Sequence, residues 1–217
     1  MHTLSEENYI KSILRLSQRP NEKITPTAIA DSLGNNAASV IDMIRKLTEK
    51  NLIEYDKKKG VRLTPLGLKD ATLIVRRHRL WEVFLLEKLN YRWDEIHDIA
   101  EELEHIRDVT LPDRLDKFLN FPEYDPHGDP IPKENGKLPK TYSVTLAEMK
   151  VGARCQVAAV KDTSSSFLQY LLKLNVVIGT KIEFLEQISY DQSLVISING
   201  EEKTTVSQKF GQNILVS

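Results

Sequence analysis

Two Thr-Pro pairs, Thr25-Pro26 and Thr64-Pro65, constrain this chain more than any other feature. Each puts a capping hydroxyl before a proline at the first helical position, where proline's missing N–H costs nothing, so each starts a helix. The stretch between them holds a short helix stopped at Gly34, a longer helix from about Ala37 to Lys50, and two β-rich segments, 52–55 and 61–63, around the turn Lys57-Lys58-Lys59-Gly60. Asn35 or Asn36 can cap the longer helix. Ahead of the first pair, Tyr9, Ile10, Ile13, Leu14 and Leu16 recur at helical spacing, with Ser5 as the expected cap and Pro20 as the stop. Helix, short helix, turn, longer helix and basic-tipped hairpin make a winged helix-turn-helix over residues 1–64.

After Thr64-Pro65 the helical pattern runs to about Leu89, followed by helices expected over Asp94 to Asp108 and Leu111 to Leu119. Pro122, Pro126, Pro130, Pro132 and Pro139 then break regular structure. From Ser143 onward alternating apolar segments dominate, interrupted by a short helix near Phe167 to Leu174, and read as a small, partly closed β-barrel. The expected organisation is a mainly α N-terminal two-thirds, split at residues 64 and 65, with a helical segment 65–142 and a β segment 143–217. No apolar run approaches a membrane span, and no basic stretch leads into an apolar one at the start, so a cytoplasmic chain is expected. The lone Cys155 excludes an intrachain disulfide and a cysteine-based zinc site.

The net charge is close to neutral but unevenly spread. Residues 1–65 carry 11 basic and 8 acidic side chains, whereas residues 82–129 carry 14 acidic and 5 basic. A basic front suits an anion such as double-stranded DNA, and an acidic middle suits a cation, although solvated helix faces give the same bias. The longer helix offers Asn35, Asn36 and Ser39 near its start for base edges, while Arg45, Lys46, Lys57, Lys58 and Lys59 are placed for phosphates. Asp42 in the same helix would repel phosphate unless paired, with Lys46 the nearest cation.

The acidic middle has a sharper pattern. His97, Glu101, Glu104 and His105 stand at i, i+4, i+7 and i+8, one face of a helix, beside the apolar set Ile96, Ile99, Ala100, Leu103 and Ile106. One helix earlier His78 and Glu82 are again four apart. Oxygen and imidazole donors of this kind suit a borderline divalent transition metal. A metalloenzyme using the same cluster, or a regulator sensing a small organic ligand, are the alternatives. No His-Glu-x-x-His motif, nucleophile elbow or phosphate loop supports the first.

Three stretches carry a family resemblance: Arg77-His78-Arg79-Leu80-Trp81-Glu82; His97-Asp98-Ile99-Ala100-Glu101-Glu102-Leu103-Glu104-His105; and Asp125-Pro126-His127-Gly128-Asp129-Pro130-Ile131-Pro132. In this order they make the chain resemble the iron- and manganese-dependent repressors of the diphtheria toxin repressor family over nearly its whole length. The resemblance implies a winged helix, a helical metal-binding and dimerisation domain, and an SH3-like barrel. It implies a homodimer that binds palindromic operator DNA when loaded with Mn²⁺ or Fe²⁺. It assigns Asn8, Glu101, Glu104 and His105 to a primary metal site, His78, Glu82 and His97 to an ancillary one, and Arg79 to an anion beside the latter. Three departures stand out: Asn8 where members carry Met or Asp, Glu101 where one branch carries Cys, and Ser164-Ser165-Ser166-Phe167 where some relatives supply ligands from the barrel, with Asp162 or Gln169 the nearest substitutes. The primary donors include no sulfur, which favours Mn²⁺ over Fe²⁺.

Overall fold

The computed structural model describes residues 2–18, 22–201 and 203–217, so the expected stop at Pro20 lies outside them. The chain forms two compact units: residues 1–78, 102–113 and 132–137 in one, and residues 79–101, 114–131 and 138–217 in the other.

In the first unit, α1 spans Leu4–Ser17. Its cap is Thr3, two residues before the expected Ser5, because Thr3 and Glu6 cap each other: the Glu6 N–H donates to Thr3 Oγ1 (3.2 Å) and the Thr3 N–H to Glu6 Oε2 (2.9 Å). α2 spans Pro26–Leu33, capped by Thr25 and closed by Gly34 at φ 65°. α3 spans Ala37–Glu49, with Asn36 as cap. Strands β1 (Ile53–Asp56) and β2 (Gly60–Leu63) pair antiparallel, Ile53 opposite Leu63 and Asp56 opposite Gly60. Tyr9, Ile10, Ile13, Ile29, Val40, Ile44, Leu47, Leu52 and Val61 close one core beneath these elements. α4 (Pro65–Leu89) begins here, and Ala71 and Ile74 on its first turns join that core.

The second unit holds the rest of α4 and most of α5 (Ile96–Leu103) and α6 (Leu111–Phe118). Leu80, Val83, Leu115, Leu119 and Ile131 form its helical core. α5 is shorter than the expected 94–108. Residues 93–95 are a turn, and so are Glu104 and His105. The β layer comprises β3 (Arg154–Val160), β4 (Lys181–Gln187), β5 (Leu194–Ile198), β6 (Lys203–Val206) and β7 (Ile214–Val216), in the spatial order β6-β5-β4-β3-β7, with every neighbouring pair antiparallel. α7 (Ser165–Lys173) and α8 (Gln208–Asn213) contribute Phe167, Tyr170 and Phe210 to an aromatic cluster.

The expected barrel is corrected to an open five-stranded sheet. Among the described residues β6 and β7 remain edges. α8 occupies the chain between them, and β7 has only three residues to offer a partner. The loop segment 125–131 is bound into this unit. The Val160 N–H donates to the His127 carbonyl (3.0 Å), and a Cβ on Gly128 would fall 2.1 Å from the Ala158 oxygen.

Candidate metal centre and DNA face

On the exposed side of the first unit, Asn36 spends its side chain on the start of α3. Its Oδ1 accepts the Ser39 N–H, and Ser39 Oγ donates to the Asn36 carbonyl, both at 2.9 Å. Asn35 Nδ2 donates to the Tyr9 hydroxyl at 3.1 Å. Arg45 and Lys46 stand exposed on α3, and Lys57, Lys58 and Lys59 on the β1–β2 turn. That turn is preformed: Asp56 Oδ1 accepts the N–H groups of Lys58 and Lys59, each at 2.7 Å, and Lys23 Nζ donates to the Lys57 carbonyl at 2.6 Å.

Buried in the same unit is a group of charges drawn from α1, α4 and the turn after α5. Glu104 has no solvent exposure, yet its Oε2 lies 2.7 Å from His78 Nδ1 and 2.5 Å from Lys11 Nζ. Lys11 Nζ is also 3.3 Å from His78 Nδ1. His105 meets α1 through Glu7, with Nδ1 2.5 Å from Glu7 Oε2, while its Nε2 stands 3.8 Å from Glu104 Oε1. Arg77 Nη2 lies 3.7 Å from Glu7 Oε1, and its Nη1 donates to the Ile106 carbonyl (3.3 Å). These tertiary partners account for the early end of α5: Glu104 and His105 are held by groups on α1 and α4 rather than continuing a helical face.

Two acceptors here, Glu104 Oε1 and Asn8 Oδ1, are buried with no hydrogen-bond partner. A buried acceptor left without a donor costs about 1–3 kcal/mol, and a cation would satisfy both. The oxygen and imidazole chemistry of Asn8, Glu104 and His105 therefore fits a divalent transition metal, and the Lys11 ammonium already supplies a positive charge to the same carboxylate.

The second unit has its own group. The buried carboxylate of Glu82 lies with its Oε1 3.2 Å from His97 Nδ1 and 3.5 Å from His127 Nδ1, and His97 Nε2 is 3.7 Å from Glu101. Ligand atoms of Glu82, Asp125 and His127 all fall within 4.8 Å of one another. Trp93 stacks on the His127 ring and donates its Nε1–H to the Pro126 carbonyl (3.0 Å). Burial pushes the Asp125 carboxyl well above its ordinary pKa, and the nearby Glu82 and Asp129 push it the same way against Arg79 and His127. Burial alone would lower His127, but hydrogen bonding and attraction to Glu82 raise it. Arg79 does not face open space. Its Nη1 donates to the Pro130 carbonyl (2.5 Å), and its Nη2 and Nε lie 3.2 and 3.5 Å from Asp129 and Asp125. Gln169 Nε2 donates to Asp94 Oδ2 (2.8 Å), and Asp162 accepts the Ser164 N–H.

Sequence reading thus located the donors. His78 lies beside Glu104, and His97 beside Glu82 and Glu101. It missed Glu7, Lys11 and His127 as partners. Only the 125–132 motif gave any signal for the last.

Three family descriptions match the chain in order: "Iron dependent repressor, N-terminal DNA binding domain" over residues 1–61, "Iron dependent repressor, metal binding and dimerisation domain" over 64–133, and "FeoA domain" over 144–217. The chain is 33% identical to the HTH-type transcriptional regulator MntR of Oceanobacillus iheyensis, over 56% of this chain and 81% of that one. It is 24% identical to the diphtheria toxin repressor of Corynebacterium diphtheriae, over 90% and 89%. A solved manganese-dependent transcriptional repressor in complex with manganese superposes with a TM-score of 0.88 at 33% identity, covering 97% of this chain and 98% of that one. A shorter stretch, 75 residues at 44% identity, matches a probable metal transport system membrane protein of Chlamydia trachomatis, of which the chain spans 17%.

Proposed function

This chain belongs to the family of iron- and manganese-dependent repressors, and from that membership we propose that it represses metal-homeostasis genes by binding a palindromic operator as a homodimer when loaded with Mn²⁺. Its relatives are DNA-binding repressors rather than enzymes. No described helix is long and apolar enough to cross a membrane, and the proposed setting is the cytoplasm. The matched segments support a division into a winged helix, residues 1–64, a helical segment, 65–142, and a β segment, 143–217.

The observation that carries the reading is the buried Glu104 carboxylate, shared between His78 of α4 and Lys11 of α1, the first helix of the DNA-reading unit. A bound divalent ion supplies two positive charges to this acidic cluster. Asn8, Glu104 and His105 would hold it, and Glu101, one turn before Glu104 in the chain, would complete the set by family resemblance. Lys11, whose ammonium sits on the Glu104 carboxylate, would compete with the ion for it. Because Asn8 belongs to α1, ligand engagement would fix α1 in one arrangement, and operator affinity would rise by the differential affinity for that arrangement. His78, Glu82 and His97 form the ancillary set. Asn35 and Asn36, just before α3, and Ser39 in its first turn are the candidates for base edges, and Arg45 and Lys46 on α3 with Lys57, Lys58 and Lys59 on the β1–β2 turn are those for phosphates.

Mn²⁺ is preferred to Fe²⁺ because the donors are oxygen and imidazole with no sulfur. The test is operator binding titrated with Mn²⁺ and, anaerobically, with Fe²⁺, against a chelator control. Activation by Mn²⁺ that the chelator reverses is expected. Operator binding indifferent to chelator would overturn the reading. Replacing Lys58 and Lys59 by Ala should weaken binding to every sequence and flatten its salt dependence.

A further inference from the structure

Glu7 is the one carboxylate of α1 that reaches the buried group without belonging to the ligand set. Its Oε2 lies 2.5 Å from His105 Nδ1. The ring's other nitrogen, Nε2, stands 3.8 Å from Glu104 Oε1, the buried oxygen that lacks a partner. Glu7 is itself held, with Oε1 3.7 Å from Arg77 Nη2, and Arg77 also grips the carbonyl of Ile106, the residue after His105. A ring of contacts therefore runs from α1 through Glu7 to His105 and back through Arg77.

We infer that Glu7 is a positioning residue: it accepts the Nδ1–H of His105, fixes the tautomer whose lone pair lies on Nε2, and aims that lone pair at the metal-binding space beside Glu104. The inference rests on His105 being a ligand. The chemistry is that of a carboxylate–histidine–metal arrangement, in which the outer carboxylate sets ring orientation and raises the basicity of the ligating nitrogen. It gives this chain a second tie between α1 and the turn after α5, beside Lys11 and Glu104. It also places an anionic partner on the residue next to Asn8, which contributes no charge of its own.

The test uses the full chain. In metal-free protein, ¹⁵N correlation spectra of the histidine rings read the tautomer directly. Wild-type His105 should be protonated at Nδ1, and Glu7→Ala should move the proton to Nε2. Calorimetric Mn²⁺ titration of Glu7→Ala should show affinity lower by about 10–100-fold, and Glu7→Asp should recover part of it. In a His105→Ala background Glu7→Ala should cost nothing further. An unchanged tautomer, or the same loss of affinity with and without His105, would overturn the role of Glu7 while leaving the ligand assignment standing. A His105→Ala protein that binds Mn²⁺ as tightly as wild type would overturn both.

Discussion

The two buried acid–imidazole groups differ in what they are wired to. The Glu104 carboxylate takes Lys11 from α1 and His78 from α4, and His105 beside it takes Glu7 from α1, all residues of the DNA-reading unit. The Glu82 group takes His127 from the 125–132 loop, which is stitched to β3 by the Val160–His127 hydrogen bond and by Gly128 against Ala158. Donor chemistry is nearly the same in both. The surroundings decide which part of the molecule would feel an ion: the DNA-reading unit at the first group, the β layer at the second.

The largest effect should come from pitting the groups against each other. Glu104→Gln should lower Mn²⁺ affinity by more than about 100-fold, beyond what loss of an outer partner produces, and abolish Mn²⁺-stimulated operator binding. Glu82→Gln should weaken activation only about tenfold. Equal losses in calorimetry and operator titration would erase the distinction.

Gly128→Ala probes the second group from the β side. At φ 86°, with the new Cβ 2.1 Å from a carbonyl oxygen, it should cost about 2–4 kcal/mol from strain and overlap. Urea denaturation reads that cost. The Mn²⁺ affinity of the Glu104 group should persist, and its loss would show the groups to be coupled.

Lys11→Met removes the cation held against Glu104. Metal-free protein should melt at lower temperature, because a buried carboxylate loses its partner. Mn²⁺ affinity should rise about tenfold, or ~1.4 kcal/mol. Weaker Mn²⁺ binding would mean Lys11 assists the site instead of competing for it.

The smallest effect is expected from Gln169→Leu. The Gln169 amide, against burial and with help from Arg92, holds the Asp94 carboxyl below its usual range. Because the folded pKa is the lower one, this contribution is present above the unfolded pKa and disappears as pH falls through the folded pKa. The variant should lose about 1 kcal/mol at neutral pH, and the difference should vanish in acid. Altered Mn²⁺ stoichiometry would instead reveal Gln169 as a ligand.

What was legible in the sequence was what is decided locally. Thr25, Asn36 and Gly34 announce their helix ends because capping and left-handed backbone involve residues only a few positions apart. The end of α5 is different. Spacing projects Glu104 and His105 along a helical face, but Lys11, His78 and Glu7, distant in the chain, hold them in a turn. Lys11 stands outside the apolar set Tyr9, Ile10, Ile13, Leu14 and Leu16, and nothing near it in the chain marks its partner. The strands were visible from alternation, whereas barrel closure depends on which edges pair, and α8 between β6 and β7 decides that.

The joint between β2 and α4 has a mechanical consequence. Thr64 Oγ1 donates toward the Asn51 and Leu52 carbonyls, at 2.7 and 3.1 Å, and accepts the Gly67 N–H at 3.0 Å. A Cβ on Gly67 would fall 1.9 Å from the Leu52 oxygen, so backbone there meets backbone with no side chain as cushion. Such a joint transmits torque without slack. Twisting the stretch 65–78 of α4 must turn the hairpin with it, as a shaft turns a keyed wheel, and any play that lets the reading head match DNA has to be sought elsewhere in the chain.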